Sequence, residues 1–448
     1  MSKKEQYVAA IDIGTTKIVA IVGKRNENGK IEILGLSKAL SKGVKRGVVQ
    51  NIEETVNAIR TTVEDVQKRS GIMFSEVFVG IAGQHIKSMK NRGYIMRDSY
   101  DDEIRKEEVF RLIEDMRKIH IDIGEEIIHV IPQNFIVDNE TGIRNPIGMC
   151  GRRLEANFHI VIGQVAAAKN IEKCIRKAAL SVKDLILEPL ASSDAVLTED
   201  EKEAGVALVD IGGGTTDLAV YYDNIVRHTA VIPLGGNVVT KDIQEGCAIL
   251  QRHAEQLKIQ YGSALGDIAP EDTVVSIPGI SGRDPKEISF KSLAYIIQSR
   301  MEEIIDFVNF EIQNSGYADK LAAGVVITGG GAMLKHLPQL MKFKTAMDVR
   351  LGLPNEHLAG TSKNEINQPM YATSVGLIMK GFEYLETYRE GINIAPEKEF
   401  VKPEATREEV PDEVSDSEEY QSISRTSWID KIKIVMQKMF EVEDQPIS

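Results

Sequence analysis

Along most of the chain, short runs of apolar residues alternate with segments in which apolar positions recur every three or four residues. This is the alternation of strand and helix that a mixed α/β protein requires. Behind Asn51, a residue suited to capping a helix, Ile52, Val56, Ile59, Val63 and Val66 fall at spacings of four, three, four and three, which predicts a helix with one buried face. Met301, Ile304, Ile305, Val308 and Ile312 mark another helix, stopped by Gly316. Both stripes read as core. The periodic pattern ends near residue 390.

Beyond it, residues 391–425 hold ten acidic and four basic side chains, a net charge of -6. Such a segment buries too little apolar surface to offset its ordering entropy and is expected to be a disordered linker. Trp428, Ile429, Ile432, Val435, Met436, Met439 and Phe440 then return at helical spacing, with Lys431, Lys433, Gln437 and Lys438 around them. Three lysines against one acid between Thr426 and Phe440 give a local +2 in an acidic chain. This predicts an amphipathic helix lying in an anionic membrane surface, the alternative being a helix docked on the protein's own body or on a partner. A flexible coil of 35 residues spans about 30 Å root mean square, several Debye lengths of about 8 Å, so the acidic body would scarcely repel the membrane. With about 1 kcal/mol per lysine, one anchor binds weakly; several on one filament bind firmly.

Composition narrows the class. The 448 residues, 42% of them hydrophobic, suffice for about two to four domains with real cores. Lys and Arg total 54 against 67 Asp and Glu, and the resulting charge of -13 argues against a nucleic-acid partner. Cys150, Cys174 and Cys247 are far apart, with no CxxC and no His cluster, so neither a disulfide framework nor a zinc site is expected. The longest apolar runs fall well short of the ~20 residues of a membrane span. The N-terminus passes from SKKEQ into YVAAIDIG without a signal core, which points to the cytoplasm.

Candidate chemistry lies in a repeat. AIDIGTTKIVAIVG from Ala10 and LVDIGGGTTDLAVYYD from Leu208 both read strand, aspartate, Gly-Thr turn, strand, with Asp12 and Asp210 198 residues apart. One unit written twice at domain distance suggests two related halves facing each other. Backbone N–H groups in such a turn form a nest for phosphate oxygens, and Gly14, Gly212, Gly213 and Gly214 permit close approach. Thr15, Thr16, Thr215 and Thr216 add hydroxyl donors, and Lys17 a positive charge for the outer phosphates. Asp12 and Asp210 are suited to holding Mg2+ through its waters. A single copy would equally be an ordinary hairpin turn; two copies favour a polyphosphate site. In VVITGGGAML, Gly329, Gly330 and Gly331 sit between a strand and a helical pattern, where backbone could lie flat against a nucleoside.

Together these elements resemble the actin, sugar kinase and heat-shock chaperone superfamily of ATP-binding proteins. The resemblance implies that the two turns are phosphate loops, that Gly329 to Gly331 form the adenosine loop, and that the cofactors are ATP and Mg2+. LEPLASSDAVL is similar to the first connecting segment, where Glu188 takes the place of a group orienting magnesium or water. YATSVGLI is similar to the second, in which Ala372 and Gly376 would let two helices cross closely. In AEQLKIQYGSA, Glu255 and Lys258 occupy positions that reach the adenosine, although an exposed helix face reads equally well there. FVGIAGQHIKSMKNRG and the stretch from Glu125 to Val161 resemble the inserted subdomain of the FtsA family of bacterial cell-division proteins, and LGGNVVTKDI, with Gly235 and Gly236, continues the match.

That resemblance implies an α/β, actin-like (ribonuclease H-like) two-lobed fold with an FtsA-type insertion and a disordered tail ending in an amphipathic helix. It places lobe 1 (subdomain 1A) at 1–85 and 165–195, the insertion (1C) at 86–164, lobe 2 (2A) at 196–242 and 306–390, and a small subdomain (2B) at 243–305. The linker is then 391–425 and the membrane helix 426–441. The implied role is an ATP-binding scaffold that polymerises on the cytoplasmic face of the inner membrane at the division site, tethers FtsZ through the small subdomain, and helps recruit other division proteins. Nucleotide motifs carry no information on whether water is positioned for hydrolysis, and a metabolic enzyme is not implied. Two other readings share the fold: a pilus-assembly scaffold, and a small-molecule kinase using Asp217 as base. The kinase leaves the insertion and the terminal helix without a role.

Overall fold

The computed structural model describes residues 6–279, 284–355, 357–359 and 366–389. The acidic segment 391–425 and the amphipathic segment from Trp428 to Phe440 lie outside the described residues.

The repeat read from two short motifs extends to two whole sheets. In lobe 1, Ile31–Leu40, Lys17–Arg25 and Tyr7–Ile13 run antiparallel, and Glu76–Ile81 and Ser181–Leu187 continue the sheet in parallel. In lobe 2, Ile225–Ile232, Thr216–Tyr222 and Val206–Ile211 are antiparallel, followed in parallel by Val325–Thr328 and Val349–Leu351. The parallel strands are reached through helical crossovers, as parallel pairing demands.

Each sheet is covered on both faces. Ala9, Ile11 and Ile13 pack with Val56, Ile59, Val63 and Val66 of the helix Ile52–Ser70, so the predicted stripe is core. Asn51 caps that helix by accepting from the Glu54 N–H at 3.2 Å, and Gly71 ends it at φ 71°. In lobe 2, Ala207, Val209 and Ile211 pack with Ile304, Ile305, Val308 and Ile312. Those residues belong to the helix Phe290–Ser315, which starts a full stripe earlier than the apolar pattern suggested and ends at Gly316 with φ 76°. Fully burying each such Val or Ile stabilises by about 1.5–3 kcal/mol.

Between the sheets lies a shared layer. Val8 and Ala10 from lobe 1, and Val206 and Leu208 from lobe 2, join Ala191, Ala195, Val375 and Ile378 in one core. These last four come from two connecting helices, Glu188–Val196 and Ala372–Arg389. Strand alternation now assigns the polar residues: Asp12 follows Val8 and Ala10, and Asp210 follows Val206 and Leu208, so both aspartates face the interlobe layer.

The insertion forms its own antiparallel sheet, in the order Lys87–Met96, Arg153–Gln164, Glu125–Val137, Glu140–Ile143. Its helix Lys106–Met116 contributes the fully buried Leu112 to a core with Ile95, Leu154 and Phe158. Although it departs from lobe 1, the insertion bonds to the edge strand of lobe 2. Ser88 Oγ donates to the Thr229 carbonyl at 2.9 Å, Gln133 Nε2 to those of Val226 and Arg227 at 2.8 and 3.2 Å, and His159 Nε2 lies 2.8 Å from Thr229 Oγ1. The helices Gly236–Cys247 and Gln251–Tyr261 and the hairpin of Val274–Ile277 with Lys286–Ser289 complete lobe 2. Among the described residues no helix is long and apolar enough to cross a membrane.

Candidate functional site

The two hairpins have the same loop geometry. Ile13 pairs with Ile18 and Ile211 with Thr216, so each loop has four residues. In each, the first glycine N–H donates to the carbonyl of the fourth residue: Gly14 to Lys17 at 3.0 Å, Gly212 to Thr215 at 2.9 Å. This register superimposes Thr15 and Thr16 on Gly213 and Gly214 and Lys17 on Thr215, so the threonines of the two copies do not correspond. Thr216 is thereby placed in the strand. Its side chain is fully buried and donates to the Leu234 carbonyl at 2.9 Å, away from the cleft.

The loop tips meet across the lobes. A methyl group on Gly213 would overlap Thr16 Oγ1, and one on Gly214 would overlap Thr15 Oγ1. Beside them opens a cavity of about 400 Å³ lined by Asp12, Gly14 to Lys17, Glu188, Asp210, Gly212 to Thr215, Asp217, Gly236, Glu255, Lys258 and Gly329 to Gly331. Gly235 stands behind this surface, packed on the Gly212 and Gly213 backbone. Glu255 and Lys258 are brought into the cavity wall: Lys258 Nζ pairs with Glu255 at 2.8 Å and donates to the Gly236 carbonyl at 2.9 Å and Thr240 Oγ1 at 2.8 Å. Lys258 is largely covered, whereas Glu255 keeps 36% of its side chain exposed.

Gly329 is required twice over. It adopts φ 85°, and a side chain would overlap Asp210 Oδ1 and stand 2.6 Å from the Ile211 carbonyl. The glycine loop thus abuts the second hairpin.

Electrostatically the cleft is unbalanced. Asp12, Asp210 and Asp217 are buried and Glu188 is half-buried, and desolvation raises each above the ordinary carboxylate range. For Glu188 the neighbouring charges of Asp12, Asp217 and Asp210 add to burial, and for Asp217 that of Asp210. Lys17 opposes this for Asp12, Asp210 and Glu188, but burial lowers its own pKa, and its ammonium donates to the Met370 carbonyl. Asp217 Oδ1 is buried with no hydrogen-bond partner among the described residues. Such a set is suited to an added cation and to ligand or water donors. Among the described residues no group of three or more His, Cys, Asp or Glu can hold a metal ion directly, so any ion here would have to complete its shell with water or ligand oxygens.

Three hydroxyl partners of the aspartates lie within the two connecting segments but have no role in the sequence reading. Ser192 Oγ and Thr373 Oγ1 donate to Asp210 Oδ2 at 2.6 and 3.1 Å, and Ser374 Oγ donates to Asp12 Oδ2 at 3.0 Å. The signal available was serine and threonine in otherwise apolar helices, at ASSDAV and YATSVG, where a hydroxyl must find a partner.

Residues 207–376 match the family model described as cell division protein FtsA, and residues 83–162 match the SHS2 domain inserted in FTSA. The cell division protein FtsA of Pseudomonas aeruginosa is 40% identical over 84% of this chain and 90% of its own length. That of Escherichia coli K12 is 35% identical over 84% and 91%. Among solved structures, a PilM-PilN type IV pilus biogenesis complex has a TM-score of 0.59 at 14% identity, covering 84% of this chain and 98% of its own. MreB 5 of Spiroplasma citri bound to AMPPNP gives 0.53 at 13%, covering 86% and 99%. The structural neighbours share the fold, and the sequence relatives supply the identity. The chain belongs to the FtsA family of cell division proteins and carries its SHS2 insertion on an actin-like fold.

Proposed function

We propose that this chain binds ATP with Mg2+ in the interlobe cleft and works as a membrane-attached, self-assembling scaffold that tethers FtsZ at the division site. One observation carries the nucleotide reading: two glycine-rich loops of matching geometry, one from each lobe, meet beside a cavity rich in buried carboxylates. Backbone N–H groups at the loop tips, Thr15 and Thr16 in one and Gly213 and Gly214 in the other, receive phosphate oxygens, while those of Gly14 and Gly212 close the hairpins; the hydroxyls of Thr15, Thr16 and Thr215 are added donors. Lys17 supplies charge to the outer phosphates, while Asp12 and Asp210 hold magnesium through its waters. Glu188 orients water or magnesium. Gly329 to Gly331 and Gly236 lie against the nucleoside, with Glu255 and Lys258 reaching it. The bound ion offsets phosphate charge that the four acids would otherwise repel.

The remaining roles come from the family. FtsZ binds the small subdomain at 243–305, other division proteins are recruited, and copies associate head to tail into filaments. The Trp428 to Phe440 segment holds the chain on the anionic cytoplasmic face of the inner membrane.

Titration with ATP in the presence and absence of Mg2+, followed by co-sedimentation with FtsZ and anionic vesicles, tests this reading. Magnesium-dependent ATP binding and joint pelleting of both proteins with lipid are expected. A folded chain that ignores ATP, or one that phosphorylates glucose or glycerol at ordinary enzyme rates, overturns it.

A further inference from the structure

The second connecting helix begins with two hydroxyl residues whose bonds go to opposite lobes. Thr373 donates to Asp210 of lobe 2 and the next residue, Ser374, to Asp12 of lobe 1. Ser192 of the first connecting helix reinforces Asp210 and lies 3.0 Å from Thr373 Oγ1. Ser192 and Ser374 are fully buried, and Thr373, Asp12 and Asp210 nearly so.

We propose that Thr373 and Ser374 are positioning residues that fix the carboxylates of Asp210 and Asp12 in the orientation needed to hold magnesium beside a bound nucleotide. The inference rests on the nucleotide reading above. A buried carboxylate without donors would protonate or turn toward whatever donor is nearest. A hydroxyl on Oδ2 fixes the plane of the carboxyl group and leaves Oδ1 for an ion's water shell. Consecutive residues of one helix also have fixed spacing. Moving the two aspartates apart therefore breaks one of these bonds, so the clasp ties metal geometry to the closed relation of the two loops. Substituting the pair should separate nucleotide binding from its magnesium dependence without touching the phosphate loops.

The test measures ATP affinity of the full-length protein by calorimetry across a magnesium series and in EDTA, for wild type, Thr373→Val, Ser374→Ala and the double variant, with melting temperature recorded for each. Magnesium-dependent enhancement of affinity should fall by about tenfold or more in the double variant, the scale of a lost hydrogen bond to a charged group. Affinity in EDTA should stay within about twofold of wild type, and Thr373→Ser should restore the enhancement by restoring the hydroxyl. Equal loss of affinity with and without magnesium would show a merely structural role and overturn the proposal, as would an unchanged magnesium dependence in a folded double variant. Should the double variant not fold, the single variant Ser374→Ala carries the same comparison, because Ser374 Oγ is the hydroxyl donor on Asp12 Oδ2 while Ser192 also bonds Asp210. Absence of ATP binding by wild type would instead overturn the nucleotide reading, and this proposal with it.

Discussion

Gly376 of the second connecting helix lies directly on the backbone of Ala191 in the first, so close that a methyl group there would overlap the Ala191 carbonyl oxygen. The helices cross with no side chain between them, in the layer shared by both lobes. Gly376→Ala must push them apart against packed core on either side, and overpacking of this kind costs about 1–3 kcal/mol. Denaturant unfolding should show the midpoint falling accordingly; an unchanged midpoint would mean the crossing is softer than its geometry.

At the loop tips, Gly213→Val would place its side chain against Thr16 of the other lobe and force the two hairpin loops apart. Asp210→Ala removes the carboxylate on which Ser192 and Thr373 converge. Each variant should bind ATP about tenfold more weakly or worse. Near-wild-type affinity in folded samples of both would sink the cleft assignment.

Buried histidines give the protein an acid-sensitive side. Burial, aided by His228 and Lys90, pushes His159 down to about 4, and burial with Lys380 and Arg117 does the same for His129. A histidine that charges near pH 6.5 in the unfolded chain but resists charging in the folded one binds more protons when unfolded. Its contribution is therefore intact above pH 6.5 and is lost as pH falls toward about 4. His159→Gln should flatten the rise of stability with pH in that window, by up to about 1.4 kcal/mol per pH unit. The raised carboxyls of Asp217 and Glu188 contribute with the opposite sign, and comparing variant with wild type cancels them. Parallel stability curves would refute the assignment.

Trp428 is the single tryptophan of the chain, so intrinsic fluorescence reports on the proposed membrane segment alone. Anionic vesicles should shift its emission to shorter wavelength, neutral vesicles less, and salt should weaken the shift in part because only the lysine attraction is screened. Replacing Ile432 and Met436 by Glu should abolish vesicle binding and leave ATP binding intact. Emission already blue-shifted without lipid, and unmoved by vesicles, would favour docking on protein.

Self-association should be head to tail, since subunits of an actin-like fold meet through different surfaces. Sedimentation with ATP, Mg2+ and anionic vesicles over a wide concentration range should show species that grow with concentration. A persistent monomer would contradict it.

The two hairpin loops were legible because an aspartate at a strand end followed by a glycine turn is a local pattern written in a few adjacent residues. The close crossing of the connecting helices was legible at Gly376 through the family resemblance of YATSVGLI, and a methyl group there would overlap the Ala191 carbonyl oxygen. Loop register was not legible. The ladder sets Asp217 opposite Asp210 and turns Thr216 inward, so Thr215 and Thr216 do not stand where Thr15 and Thr16 do. Ser192, Thr373 and Ser374 escaped notice because a hydroxyl in a helix usually bonds its own backbone. Here each is paired instead with a carboxylate 18, 163 or 362 positions away. Contacts of that span arise only when the sheets and their shared layer are assembled.

The insertion's bonds to lobe 2 cover a margin of that lobe's sheet. Ile225–Ile232 is an edge strand, and exposed edges recruit further strands. Here the carbonyls of Val226, Arg227 and Thr229 already accept from Gln133 and Ser88. A neighbouring chain that tried to extend the sheet along this margin would first have to dislodge the insertion. Any association of copies along this margin is thereby directed to side-chain surfaces, where contacts form and release without rewriting backbone pairing.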